Sequence, residues 1–262
     1  MRTARLYLRL LGAHLRALLE YEADFWILAA ATVLTQVVNV VFLSALFAKV
    51  PTLNGWTFWS VLMMFGAVAL AEGAGSLFFE GMWNLALRIN TGELDYYLVR
   101  PYPVVLQASS AEIGINGLSN IVIGGLMIGT AVAHVDVAWS PGKVLFGVVL
   151  LVSAIVIKVS INLATNSVSF WLSSPEPLFA FAVHQVGDLA RFPLSIYPFA
   201  LKAVLGFVLP FAFIGFFPVA FLLDAGGLGW AGLLTPVVAV WCAAVALTVF
   251  HRGLRRYDSA GN

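Results

Sequence analysis

The sequence predicts an all-α integral membrane protein, and three observations carry that prediction. Of the 262 residues, 61% are hydrophobic and only 10% charged, with a mean hydropathy of +0.95. A soluble domain carries about 45–50% apolar and about 25% charged residues, so this chain is too apolar to remain in water. Several uncharged stretches also reach the roughly 20 residues that a helix needs to cross about 30 Å of hydrocarbon. Finally, Trp26, Trp56, Trp59, Trp83, Trp139, Trp171 and Trp230 sit at or just beyond the ends of apolar stretches, and only Trp241 lies mid-stretch. Indoles collect at such positions because their amphipathic rings suit the membrane-water boundary.

Taken in order, residues 1–24 predict an amphipathic interfacial helix: Arg2, Arg5, Arg9, Arg16 and Glu20 fall in one sector and leucines fill the remainder. Charges within 16–24 break up the apolar core that a cleavable leader would need, so the amino terminus is expected to stay on the protein. Seven apolar stretches follow. Residues 25–48, 113–133, 203–223 and 228–250 hold no charge, 56–79 holds Glu72, 144–172 holds Lys158, and 177–197 holds Asp188 and Arg191. Arginines at both ends place both termini in the cytoplasm, which requires an even number of crossings. One stretch therefore does not cross. In 177–197, His184, Asp188, Arg191 and Ser195 form a polar stripe that suits either a cytoplasmic surface helix or a span facing a polar interior; hydropathy alone favours 203–223 as the crossing, but Gly206, Pro210, Gly215 and Pro218 interrupt it and suit a segment that enters and returns.

Several chemistries are excluded or weakened by what is missing. The formal net charge of +1 gives no case for nucleic acid, and a single cysteine, Cys242, rules out an internal disulfide. No phosphate-binding loop occurs, since Gly142-Lys143 is followed by Val144. The four histidines are scattered, with no His-Glu-x-x-His pair for zinc. No repeat of 20–50 residues is visible, nor an inverted pairing of broken segments.

The polar interruption between the second and third stretches is the informative one. "RINTGELDYYLVRPYPVVLQ", residues 88–107, predicts a helix that breaks at Thr91-Gly92, a turn, a short helix with Glu93 and Asp95 in its first turn, and a stop at Pro101 and Pro103. Tyr96, Tyr97, Leu98 and Val99 give that short helix an apolar surface. From Gly92 to Pro101 the stretch resembles the "G-x-L-D-x-x-L-x-R-P" signature of type-2 ATP-binding-cassette (ABC) exporter permeases of about 260 residues. "IYPFALKAVLGFVLPFAFIGFFPVAFLL", residues 196–223, and the ending "FHRGLRRYDSAGN" resemble that family's later region and its Gly-x-x-x-Tyr-x-x-Ala-Gly tail.

The resemblance implies a single permease domain with six spans at about 25–48, 56–80, 112–133, 144–172, 177–197 and 228–250, in the plasma (inner) membrane. It makes 198–223 an external re-entrant pair of helices and 88–103 a cytoplasmic coupling segment. Arg88, Gly92, Glu93, Leu94, Asp95, Leu98, Arg100 and Pro101 would couple the chain to an ATP-binding subunit. Two such subunits, carrying the ATP and magnesium, would work with a pair of permeases, identical or homologous, among membrane lipids. The chain itself would be no enzyme and carry no cofactor.

Within the bilayer, Lys158, Asn162 and Asn166 share a helical face and, with His184 and Asp188, are candidates for the translocation path. Charges at that depth need partners, so a Glu72–Lys158 bridge and an Asp188–Arg191 contact are expected. Two rival readings use the same groups: an ion-coupled secondary transporter relaying through Glu72, Lys158 and Asp188, and an intramembrane lipid-modifying enzyme built on His184 and Asp188.

Overall fold

The computed structural model describes residues 7, 12, 22–172, 178–225, 227 and 229–257. Most of the interfacial helix expected over 1–24, residues 173–177, which take in the first residue of the fifth stretch, and the last five residues lie outside them. Tyr7 is described: its hydroxyl donates to the Phe78 carbonyl, and its ring packs 6.0 Å from that of Phe79.

Among the described residues the chain is helical throughout, with one isolated bridge, Leu53 to Trp56, across the turn Asn54-Gly55. Both turn residues have positive φ (49° and 90°), the backbone that an Asn-Gly pair adopts most readily. The helices are α1 (Glu22–Lys49), α2 (Phe58–Phe79), α3 (Leu85–Thr91), α4 (Asp95–Leu98), α5 (Val104–Ser109), α6 (Asn116–Val132), α7 (Pro141–Ser167), α8 (Leu178–Asp188), α9 (Phe199–Ala203), α10 (Phe216–Leu222) and α11 (Thr235–Leu254). Local chemistry sets several boundaries. Thr57 Oγ1 accepts from Ser60 N at 3.4 Å to cap α2, and Ser140 Oγ accepts from Lys143 N at 3.2 Å to cap α7, whose first residue is Pro141.

Among the described residues four helical stretches are long and apolar enough to cross a membrane: Phe25–Lys49, Phe58–Thr91, Pro141–Phe170 and Gly229–Leu254. A fifth is a broken pair, Phe199–Val208 and Phe211–Leu222, bent by 70°. The stretch expected as one span over 177–197 is instead an 11-residue helix followed by the short turns Leu189–Arg191 and Leu194–Ile196. The reason is local: Phe192 and Tyr197 each precede a proline and are driven to extended backbone (ψ 157° and 154°), which no helix can continue through.

α2 is the buried axis, and α6 is its closest neighbour. The two run antiparallel, with Gly66 opposite Gly124 and Gly73 opposite Gly117. A Cβ on Gly73 would lie 2.7 Å from the Gly117 carbonyl oxygen, and one on Gly117 would lie 2.6 Å from that of Gly73. Only hydrogen fits there, as expected where helices associate without a hydrophobic drive and close backbone packing must hold them. At one end of this pair Ser76 Oγ donates to Asn116 Oδ1 at 2.9 Å, and at the other the His134 ring stacks on Trp59 at 3.8 Å. α6, though only 17 residues long, therefore runs alongside α2 from Ser76 to Trp59.

The same contacts trace the later chain. His184 meets Lys158 and Trp83, Phe192 packs edge-on against Phe65, and Asn54 Nδ2 donates to the Ser195 carbonyl at 3.1 Å. Residues 178–196 thus lead from one end of the bundle to the other. The broken pair then dips inward, with Phe211 against Gly187, and returns, with Phe216 against Trp56 and Asp224 bridged to Lys143 at 2.7 Å.

The glycine contact yields a prediction. Gly73→Leu or Gly117→Leu should cost about 1–3 kcal/mol through overpacking. Gly125→Ala and Gly129→Ala, where nothing lies within 4 Å of the added methyl, should hold or raise stability. Thermal unfolding of the detergent-solubilised variants checks the contrast, and equal melting in both sets would refute it.

Candidate functional site

At the end of the bundle that carries residues 80–112, the polar interruption folds as a compact knot. α3 stops at Gly92, whose φ of +79° is the left-handed conformation that closes a helix and favours glycine. The chain then makes the four-residue helix α4 and, after Pro101 and Pro103, α5. Helix propensity cannot stabilise one turn, so α4 must be held from outside.

It is held from beneath and from both sides. Leu94 is fully buried in a small second core with Met82, Leu85, Ile89, Leu163 and Phe250. The Arg88 side chain, also buried, donates to Glu112, to Tyr97 Oη at 3.2 Å and to the Ala108 carbonyl at 3.4 Å, with Glu93 at 3.8 Å. Gln107 Nε2 donates to the carbonyls of Tyr97 (3.1 Å) and Tyr102 (2.8 Å). A Cβ on Gly81 would stand 1.9 Å from the Ala108 carbonyl oxygen, so α5 lies directly on the backbone after α2.

The upper surface of the knot is open. Val99 is 83% exposed and Tyr96 70%, with Leu98 and Tyr102 about half exposed; Glu93, Arg100 and Pro101 are exposed beside them. A groove of about 560 Å³ runs between α4 and α5, lined by Glu93, Tyr96, Tyr97, Arg100, Gln107 and Ser110. The sequence-predicted residues therefore divide. Arg88 and Leu94 hold the segment from inside, Gly92 turns it, Asp95 opens the short helix, and Glu93, Leu98, Arg100 and Pro101 reach its surface. Glu112, Gln107 and Gly81 were not singled out from the sequence, because nothing in a linear reading ties them to a loop up to 30 residues away.

A second constellation lies inside the bundle. Lys158 Nζ meets Glu72 Oε2 at 2.5 Å and His184 Nδ1 at 3.0 Å, with the rings of Trp83 and Phe211 each 5.9 Å away. An ammonium only donates, so His184 Nδ1 accepts and the imidazole proton sits on Nε2. Asp188 and Arg191 pair at 2.9 Å. Both expected ion pairs are thus present. Asn162 lines the two cavities beside Lys158, each about 10 Å³, room for no more than a water. Asn166 is buried, and its amide nitrogen turns back to Asn162 at 2.8 and 3.0 Å. Among the described residues no cluster of His, Cys, Asp or Glu is placed to hold a metal ion.

Removing one partner of such a pair strands a charge, whereas removing both need not. Lys158→Met should lower stability by about 3 kcal/mol, and adding Glu72→Gln should recover most of that loss. Thermal unfolding in detergent measures both; a double variant no more stable than the single one would contradict the pairing.

Comparison with curated proteins and with solved structures gives no match. Comparison with family models does: residues 33–261 match the model described as ABC-2 family transporter protein. That match takes in the knot at 88–107, the buried charge cluster, the broken helix pair and the tail, nearly the whole chain. This protein is therefore a membrane-spanning member of the ABC-2 transporter family, a transport component.

Proposed function

We propose that the chain is the permease subunit of an ABC exporter, driven by a separate ATP-binding subunit that seats on the knot at residues 88–103. The observation that carries this reading is α4: a single helical turn, fixed by buried Leu94 and Arg88, that leaves Tyr96, Leu98 and, just after it, Val99 exposed in a chain of this family. Exposed apolar side chains on a rigid base mark a surface meant to be covered. In this reading the knot and both termini are cytoplasmic and the chain sits in the plasma (inner) membrane. α1, α2, α6, α7, residues 178–196 and α11 make six crossings, and the broken pair 198–223 is re-entrant from outside. Two ATPase subunits bind the ATP and magnesium, and a second permease, identical or homologous, completes the path.

The mechanism follows from stiffness. A nucleotide state shifts a conformational equilibrium only through contacts that differ between the two states, so the element it touches must pass displacement on without absorbing it. Arg88, Gln107 and Leu94 tie α4 to α3, α5 and the second core, while Pro101 and Pro103 fix the backbone torsion after it. ATP-driven closure of the partner subunits would therefore move the ends of α2 and α6 with the knot. Lys158, Asn162, Asn166, His184 and Asp188 lie where those helices meet the later ones, on the path such movement would open. The cluster's charges answer one another, which favours a structural hinge over a free ion relay.

The test uses single cysteines in a Cys242→Ala background. Cysteine at Val99 or Tyr96 should cross-link to the cognate ATP-binding subunit, and cysteine at fully buried Leu94 should give at least tenfold less adduct. A well-expressed pair that gives no adduct at either exposed position would sink the assignment.

A further inference from the structure

α6 and α7 each pack on α2 but hardly on each other, which leaves a wedge between them. A cleft of about 480 Å³ occupies it, within the range usual for small-molecule sites. Met63 and Ala67 of α2, Ile128 of α6, Val148 of α7 and Leu222 of α10 are among its walls, and no charged side chain lines it. Gly147 keeps it open, since even a Cβ there would only touch the Leu222 methyls at 3.7 Å. Along α7 the lining runs from Val144 to Leu151, about two helical turns or about 10 Å. Val144 and Val148 are half exposed, so the cleft opens on the outer face of a spanning helix, where it meets hydrocarbon. Left empty, its walls would lose their dispersion contacts on one side. A single acyl chain has the polarity and the flexibility to fill it.

The mouth of the cleft is charged. Lys143, the residue before Val144, pairs at 2.7 Å with Asp224, two residues beyond Leu222, so one charge of each sign bridges two of the walls. Neither group is saturated by the other. An ammonium has three donors, and the pair uses only Oδ2 of Asp224, whose side chain is 78% exposed. Exposed pairs of this kind are weak, so a ligand that carries both charges can insert between them at little loss. Trp139, just before α7 begins, stands in the wall at the same end, as an indole at a membrane boundary does. Its N–H is the one side-chain donor in the lining, and it meets no acceptor among the described residues. A covered donor without an acceptor asks for a reason.

We propose that this cleft binds one zwitterionic glycerophospholipid, with an acyl chain along α7 from Val144 to Leu151 and the headgroup on the Lys143–Asp224 pair, phosphate toward the lysine and ammonium toward the aspartate. The lipid and the site carry matching groups: a head with one charge of each sign for the pair at the mouth, ester carbonyls that can accept from an N–H in the wall, and hydrocarbon for the recess. The exposed Leu34, Val38 and Val41 of α1 meet the same hydrocarbon and give the reference for lipid that merely surrounds the chain. A lipid held in the wedge joins α6, α7 and α10 at the end of the bundle opposite the knot. The inference needs only that the chain spans a membrane, and it stands whether or not the knot seats an ATP-binding subunit.

The test is photolabelling of the full chain in nanodiscs by a phosphatidylethanolamine with a diazirine in its acyl chain, the adducts being mapped by mass spectrometry. Labelling at residues 144–151 should saturate as the mole fraction of the probe rises, whereas labelling at 34–41 of α1 should rise in proportion to it. Val148→Trp fills the cleft from an exposed position and should remove most of the saturable labelling. Val144→Trp, equally exposed, serves the same purpose if the first variant does not fold. Lys143→Gln and Asp224→Asn should each raise the half-saturating mole fraction about threefold, the size of an exposed charge contact. Neither should alter labelling by a diacylglycerol that bears the same diazirine. Proportional labelling at 144–151, as on α1, would overturn the proposal and leave boundary lipid only. So would saturation that survives both tryptophan variants, charge variants that leave the phospholipid unaffected, or tighter saturation by a phosphatidylglycerol probe. Label on α1 with none at 144–151 would also overturn it and give the cleft to a protein neighbour.

Discussion

The close approach of α2 and α6 is the constraint on which the rest of the structure depends. In hydrocarbon there is no hydrophobic gain from bringing two apolar helices together, so association rests on packing and on the few polar contacts available. Gly66, Gly73, Gly117 and Gly124 let the two backbones meet, and the ends of the contact are closed by Ser76–Asn116 and Trp59–His134. α1 then needs little more than one polar tie, Gln36 Nε2 to Asn120 Oδ1 at 2.7 Å, while exposing Ile27, Leu34, Val38 and Val41 on its outer side. With that pair fixed, both strands of chain that enter and leave the knot at 80–115 are fixed as well.

The knot inherits that rigidity and adds its own. Arg88 is the part that would be hardest to replace: from α3 its guanidinium serves the Tyr97 phenol, the α5 carbonyl and Glu112 together, and it is buried. Lysine has the charge but not the planar fork of donors needed to meet several acceptors in fixed directions. Glycine works at the opposite limit. Gly92 turns the chain where a side chain would be strained, and Gly81 and Gly253 let α5 and Phe170 lie on bare backbone. The result is a stiff element joined to a close-packed helix pair, the arrangement that the proposed lever requires.

Much of this was legible in the sequence, for reasons that differ by feature. Long apolar runs, uncharged or with a single charge, and tryptophans at their ends marked α1, α2, α7 and α11, because the bilayer imposes a length and an interface. Thr91-Gly92 marked the break before α4, because only a left-handed residue closes a helix that way. The Glu72–Lys158 and Asp188–Arg191 pairs followed from the cost of an unpaired charge at membrane depth. Residues 178–196 were not legible in detail: the family resemblance made them one span, and Pro193 and Pro198 acted one residue earlier, through Phe192 and Tyr197. Nor was the assembly of the knot. Glu112 against Arg88 and Phe250 in one core with Leu94 are tertiary meetings of residues 24 and 156 positions apart, and no local pattern announces them.

The buried cluster adds a final step. Lys158 is shared by a carboxylate on α2 and an imidazole on α8, and the spaces beside it hold no more than a water each. Any route through this part of the bundle must therefore separate helices joined at that ammonium. Separation cannot be gradual, because a charge half withdrawn from its partners in a low-dielectric interior is worse placed than in either end state. In the proposed transport cycle the cluster would act as a latch, favouring closed or parted arrangements over a continuum. Packed interiors convert small displacements into switches in the same way. Under the proposed coupling, a stiff knot at one end and a latch within the bundle would be complementary: the first would deliver a displacement undiminished, and the second would give the bundle a threshold that only such a displacement crosses.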